Sequence, residues 1–367
     1  MPSRLSGYTY IRAVVDTDDK LAAFLPRVRA ATWVAVDTEA DSLHAYPEKI
    51  CLIQISTPNN DQLIDPLAEI DLGPLLQSLS GHELIMHGAD YDLRLLRKHH
   101  DFVPGAMFDT MLAARLLGLR QFSLSHLVER YLGVKLEKGP QKANWAVRPL
   151  APRMVDYARN DTHFLKPLSD RLRADLEQKG RLGWHREMCI QLIGEAQRDR
   201  SENRESAWRL KGSNALSRAA MAVLRELWLW REKEAISANK PPFFILSHDL
   251  LVDIAAAATS GRAIESQLPR HLSDRRRRGL VHAVDFALSL PAEKHPLPVR
   301  NSSRRASEAE RKRFMEFQKR RDAAAHELDL DPTLIASRGM LSELAQNWEQ
   351  HSKTLMNWQR VILSKRL

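Results

Sequence analysis

The chain has 367 residues, 44% of them hydrophobic, with 55 Lys+Arg against 46 Asp+Glu and a formal net charge of +9. That length exceeds what one hydrophobic core usually serves, so two or three domains are expected. Two distant cysteines, Cys51 and Cys189, exclude a disulfide scaffold and lack zinc-site spacing; no uncharged apolar stretch reaches membrane-spanning length, and Met1 to Tyr10 lacks the apolar core of a signal peptide, so a reducing cytoplasm is the expected compartment.

The run from Trp33 to Val36 has the β-branched and aromatic composition of a packed strand. Side chains two apart on a strand share a face, so Asp37 and Glu39 project together at its end. Ile50 to Ile55 is expected to pair back antiparallel after a turn near Tyr46-Pro47, and Gln62 to Ile64 extends the meander. Leu84-Ile85-Met86 forms a further strand, Gly88 relaxes the backbone, and a helical pattern begins near Asp92. An acid in the first turn is favoured by the helix dipole in any protein, and Asp90 suits a helix cap. Spacing leaves open which of Asp90 and Asp92 faces a site. A helix from about Arg153 to Leu165 places Tyr157 and Asp161, four apart, on one face. Each of these features alone fits a solvated surface; together they gather four carboxylates and a phenol. That set suits holding divalent cations and aiming a water at a phosphodiester.

The order Asp-x-Glu, His-x-x-x-x-Asp and Tyr-x-x-x-Asp resembles the three exonuclease motifs of the DEDD superfamily in its tyrosine-containing branch. Asp37 and Glu39 match the first motif, Asp92 the second, and Tyr157 with Asp161 the third. The histidine-containing branch requires His five residues before the last Asp, where this chain has Asp156. Within the branch the text is similar to ribonuclease D over residues 10 to 200. The segments that carry this are Leu52-Ile53-Gln54-Ile55, Leu63-Ile64-Asp65-Pro66-Leu67, Phe108-Asp109-Thr110 and Trp145-Ala146-Val147-Arg148-Pro149-Leu150. It departs at Ala40, where many members carry an aromatic.

The resemblance implies a ribonuclease-H-like α/β exonuclease domain that removes nucleotides from RNA 3′ ends. It also implies two divalent cations, Mg2+ or Mn2+, about 3.5–4 Å apart, stabilising the attacking and leaving oxygens. Asp37 then bridges both ions, Glu39 and Asp161 favour the one carrying the attacking water, and Asp92 helps hold the other. With an ordinary pKa of about 10, Tyr157 orients that water rather than acting as a strong base. The implied partner is RNA with a free 3′ end, tRNA precursors among such RNAs.

Beyond residue 200 the text turns helical, with long periodic runs and a break at Lys240-Pro241-Pro242. Sliding the chain by 90 positions aligns Arg231 to Ala255 onto Arg321 to Ala345, with Pro242/Pro332 and Ser247/Ser337 in register at a helix start. The first copy resembles the helicase-and-ribonuclease-D C-terminal (HRDC) domain. The expected organisation is an exonuclease domain at 1–205, an HRDC-like all-α domain at 206–292, a linker at 293–307 and a diverged second copy at 308–367.

Residues 1–205 hold 27 Lys+Arg and 28 Asp+Glu, whereas residues 206–367 hold 28 and 18. A near-neutral half beside a basic one suits a nuclease with a phosphate-gripping appendage. Arg275, Arg276, Arg277 and Arg278, with Lys319, Arg320 and Arg321, are the candidate backbone contacts. No Walker-type loop is present, so no nucleotide cofactor is expected. Two other readings fit the text: a DNA-preferring exonuclease, for which a polymerase domain is missing, and an inactive RNA-binding scaffold, against which the complete acid set argues.

Overall fold

The computed structural model describes residues 14–137, 139–198, 206–270, 272–298 and 306–364. Along the chain come β1 (Val14–Val15), α1 (Asp18–Arg29), β2 (Val34–Ala40), β3 (Ile50–Thr57), β4 (Asn60–Ile64), α2 (Gly73–Leu79), β5 (Glu83–Met86), α3 (Asp90–His100), β6 (Ala106–Asp109), α4 (Thr110–Leu116), α5 (Leu124–Leu132), α6 (Pro152–His163), α7 (Leu165–Gln178) and α8 (Leu182–Gln197). The strands form one sheet in the order β1-β4-β3-β2-β5-β6. Strands β2, β3 and β4 are antiparallel neighbours, as the meander predicts, while β5 and β6 add in parallel beyond β2. β3 is buried along its whole length, which its Ile- and Leu-rich text favours, and helices cover the sheet. Together with the helices that follow, this is the expected α/β core with an all-α C-terminal part.

Next come α9 (Arg218–Ala238), α10 (Pro242–Ile245), α11 (His248–Thr259), α12 (Asp274–Ser289), α13 (Glu308–Glu327), α14 (Pro332–Ile335), α15 (Arg338–Gln346), α16 (Trp348–His351) and α17 (Asn357–Ser364). α10 and α14, and the starts of α11 and α15, are 90 residues apart, the offset found in the sequence. Ser247 caps α11 by accepting from Leu250 N, and Ser337 caps α15 by accepting from Met340 N. Arg231 Nη1 donates to Leu246 O at 3.3 Å, and Arg321 Nη1 to Ala336 O at 3.2 Å, again 90 apart at both ends. The repeat is therefore structural as well as textual.

The described residues divide into two compact units whose boundaries differ from the sequence expectation: those within 14–40, 50–198 and 306–364 form one, and those within 41–49 and 206–298 the other. Residues 308–364 do not form a third body, because their apolar faces close a core that the sheet-bearing part leaves open. Leu116, Leu127 and Leu168 share one cluster with Leu334, Ile335 and Leu344. Trp184 stacks on Trp358 with centroids 4.8 Å apart. The buried Arg181 donates to Leu116 O and to Leu328 O, both at 2.7 Å, filling the open carbonyl ends of α4 and α13 at once. In the other unit Trp208, Leu224, Leu251 and Leu280 share a separate core, and Tyr46 N donates to Asn239 Oδ1 at 3.2 Å.

Candidate active site

β2 runs longer than its apolar text and carries both Asp37 and Glu39 within the strand, with a register shift after Glu39. Asp161 reaches the same place from α6. One carboxylate oxygen from each of Asp37, Glu39 and Asp161 lies within 4.8 Å of the others. Asp92 stands beside this group, and its Oδ1 accepts from Thr38 N at 3.2 Å and Thr38 Oγ1 at 2.5 Å. Thr38, between the two strand acids, thus ties the second motif to the first. Asp90 and Asp92 differ in burial: Asp92 is 7% exposed, whereas Asp90 points outward and pairs with Arg94 at 2.6 Å.

Asp109 sets the chain entering α3. Its buried carboxylate accepts from Gly88 N at 3.1 Å, Ala89 N at 2.8 Å, Met111 N at 2.8 Å and Leu112 N at 3.0 Å. It caps α4 and holds the turn that delivers Asp92. Gly88 takes a φ of 69°, and a Cβ there would press on the Met111 side chain.

Burial first, and the neighbouring anions second, push these acids up. Glu39 is raised to about 9 by burial, then by Asp161 and Asp92. Asp161 is raised to about 8 by burial, opposed by a hydrogen bond from Tyr157. Asp92 rises to about 6 through burial, opposed by Thr38. Asp37 is raised well above the carboxylate range by burial and by Asp92, Asp161 and Glu39. Four crowded acids of this kind are unfavourable as anions on their own and fit divalent cations, which take oxygen ligands. One Asp161 oxygen, Oδ2, is buried without a partner among the described residues, consistent with a ligand position.

Tyr157 donates to Asp161 and accepts from the Gln141 side chain. Burial, with Asp161, raises the phenol far above its ordinary value, so it stays protonated near neutrality. Its ring packs by Trp145, centroids 6.1 Å apart, and a Cβ at Gly139 would overlap it. The 144–150 stretch is pinned by Arg148, which donates to Asp65 Oδ2 at 2.5 Å, Asp65 Oδ1 at 2.7 Å and Cys51 O at 2.6 Å.

The basic candidates lie apart from these acids in the chain, and the structure engages most of them internally. Arg275 and Arg276 both pair with Glu234, and Arg277 donates to Leu272 O at 2.9 Å and Pro269 O at 2.6 Å. Arg320 pairs with Glu316 and donates to Leu363 O at 3.0 Å, while Arg321 is a structural arginine of the repeat. Arg275, Arg278 and Lys319 are exposed.

A family model described as a 3′-5′ exonuclease matches residues 13–177, and an HRDC domain model matches residues 220–261. A ribonuclease D from Zymomonas mobilis is 35% identical over 251 residues, which is 67% of this chain and 64% of that protein. The chain therefore spans just under two thirds of that relative. The chain is similar to ribonuclease D proteins. A ribonuclease D from Gluconacetobacter diazotrophicus is 28% identical across 95% of this chain and 90% of its own length. The crystal structure of Escherichia coli RNase D, described as an exoribonuclease involved in structured RNA processing, superposes with a TM-score of 0.70 at 25% identity, covering 94% of this chain and 92% of that one. Among the described residues no helix is long and apolar enough to cross a membrane.

Proposed function

We propose that the chain is a 3′→5′ exoribonuclease that hydrolyses terminal phosphodiesters of RNA and releases nucleoside 5′-monophosphates, with 3′-extended tRNA precursors among its substrates. The observation that carries this reading is the meeting of Asp37, Glu39 and Asp161 within 4.8 Å beside Asp92 and Tyr157. Asp37, Glu39 and Asp161 would hold one Mg2+ or Mn2+, and Asp92 with Asp37 a second. The chemistry supplied by cations held there is acidification of the attacking water and neutralisation of the leaving oxygen.

The protein's own groups do the rest. Tyr157, kept as a phenol, orients the water through its oxygen while its proton is committed to Asp161. Thr38 fixes the Asp92 carboxylate at one oxygen and leaves the other for ligation. The exposed cations Arg278 and Lys319 offer phosphate contacts to the RNA backbone. The test is incubation of a 3′-extended tRNA, and of matched RNA and DNA oligonucleotides, with Mg2+ or Mn2+ and then with chelator. Stepwise shortening of RNA to mononucleotides, stopped by chelator, is expected. Equal trimming in chelator would remove the reading, and faster trimming of DNA would reassign the substrate.

A further inference from the structure

Gln54 lies in the middle of β3, directly opposite Asp37 in the antiparallel register. Directly opposed residues share a face with Cβ atoms about 4.5–5.5 Å apart, so Gln54 belongs to the side of the sheet that carries Asp37 and Glu39. Ser56, two residues on and therefore on the same face, donates to Asp61 Oδ1 at 2.6 Å and bonds Thr162 of α6 at 2.8 Å. That face is closed over by the helix that delivers Tyr157 and Asp161. Gln54 is fully buried there, and neither Oε1 nor Nε2 has a hydrogen-bond partner among the described residues.

A buried amide with neither end satisfied is unfavourable, and native structures hold few of them. The rest of the Ile50–Ile55 segment is apolar, and a Leu or Met would fill the same space without that penalty. Packing therefore gives no reason for glutamine here. A carboxylate that ligates a cation keeps its orientation through donors to its remaining lone pairs. Gln54 is a buried donor on the floor of the acid cluster, next to Asp37 and on the same face as the unpartnered Asp161 Oδ2.

We propose that Gln54 is a positioning residue of the cation site, its amide orienting the ligating carboxylates, chiefly Asp37, when the cations are bound. This rests on the cation-binding reading of the acids. The amide is then a polar group kept at some expense to the cation-free fold for the benefit of the loaded one. Its removal should move the two states in opposite directions, which a purely structural glutamine would not do.

The experiment uses the full chain and Mn2+ alone, with affinity from titration calorimetry and thermal midpoints measured in chelator. Gln54→Met, close in volume, is expected to weaken Mn2+ binding about 10- to 100-fold while leaving the cation-free midpoint equal or higher; Gln54→Leu should act with the same signs. Unchanged Mn2+ affinity in both variants overturns the proposal and leaves the cation site standing. A lowered cation-free midpoint, or failure to fold, overturns it too, because the amide would then have a structural partner. A wild-type protein that binds no Mn2+ removes the cation reading itself and this proposal with it.

Discussion

Three anions within 4.8 Å are a liability to a fold that has nothing to put between them, and the raised acids say how the protein responds without cations: it keeps protons. The sign is fixed by linkage. Glu39, Asp161 and Asp92 have folded values of about 9, 8 and 6, above their unfolded ones near 4. Their contribution to stability is complete below pH about 4 and is lost as pH rises through 6 to 9. A cation that binds only the folded state restores it. The rise in thermal midpoint on adding Mn2+ should thus be larger at pH 8 than at pH 5; equal increments at the two values would contradict the assignment. For turnover, Asp37→Asn is expected to abolish trimming with the fold intact, and Tyr157→Phe to slow kcat about 100-fold with RNA affinity unchanged. A wild-type rate for Asp37→Asn would dismiss the site. At this scale the sequence pointed to the acids that meet in the fold, because Asp-x-Glu on a strand and Tyr-x-x-x-Asp on a helix each force one face and their order resembles the exonuclease motifs. Spacing left Asp90 and Asp92 open, since both fit a first helical turn, and only the resemblance chose Asp92; Gln54 was passed over, because its significance lies in a register and a burial that only the folded chain possesses. Gln141 was equally hidden, in a stretch without periodicity.

Among elements, the β5-to-α3 turn is held by one carboxylate. Asp109 satisfies four backbone N–H groups, two that start α4 and two in the turn before Asp92. Asp109→Ala should cost about 3 kcal/mol, a lost cap plus stranded buried donors, read as a lower urea midpoint, and kcat should fall as Asp92 shifts. A variant as stable as wild type would show that the turn holds itself. The two helical repeats make a second contrast. Arg321, mostly buried, bonds Ala336 O and Asp322, whereas its neighbour Lys319 is exposed. Arg321→Ala should destabilise by about 2 kcal/mol with the salt dependence of RNA binding unchanged. Lys319→Ala should leave stability alone and reduce the salt slope by about 1. The reverse pattern would make Arg321 the phosphate contact. A basic cluster in the text cannot distinguish these roles, because long cationic side chains bury their stems and place their heads wherever carbonyls or water are available.

For the whole molecule, the sequence set an α/β part apart from two helical repeats, and the 90-residue offset survives in the caps, short helices and arginines. What it did not disclose is that the second repeat closes the core of the sheet-bearing part, since helices of similar amphipathicity carry no mark of which neighbour they cover. Ending the chain at residue 205 should accordingly give an aggregating product without a cooperative unfolding transition, and coexpression of residues 306–367 should restore solubility. A stable, cooperatively unfolding 1–205 fragment would show that this core is complete without them.

The Arg181 bridge, which draws the carbonyl ends of α4 and α13 onto one guanidinium, bears on the order of events at the ribosome. Synthesis at about 5–20 residues per second delivers the acids of the cluster first and the helix ending at Glu327 well after them. A half-made polypeptide carries every acid of the cluster but lacks the clasp that settles its scaffold. Translation products that stop short are expected to be inert towards the transcripts surrounding them.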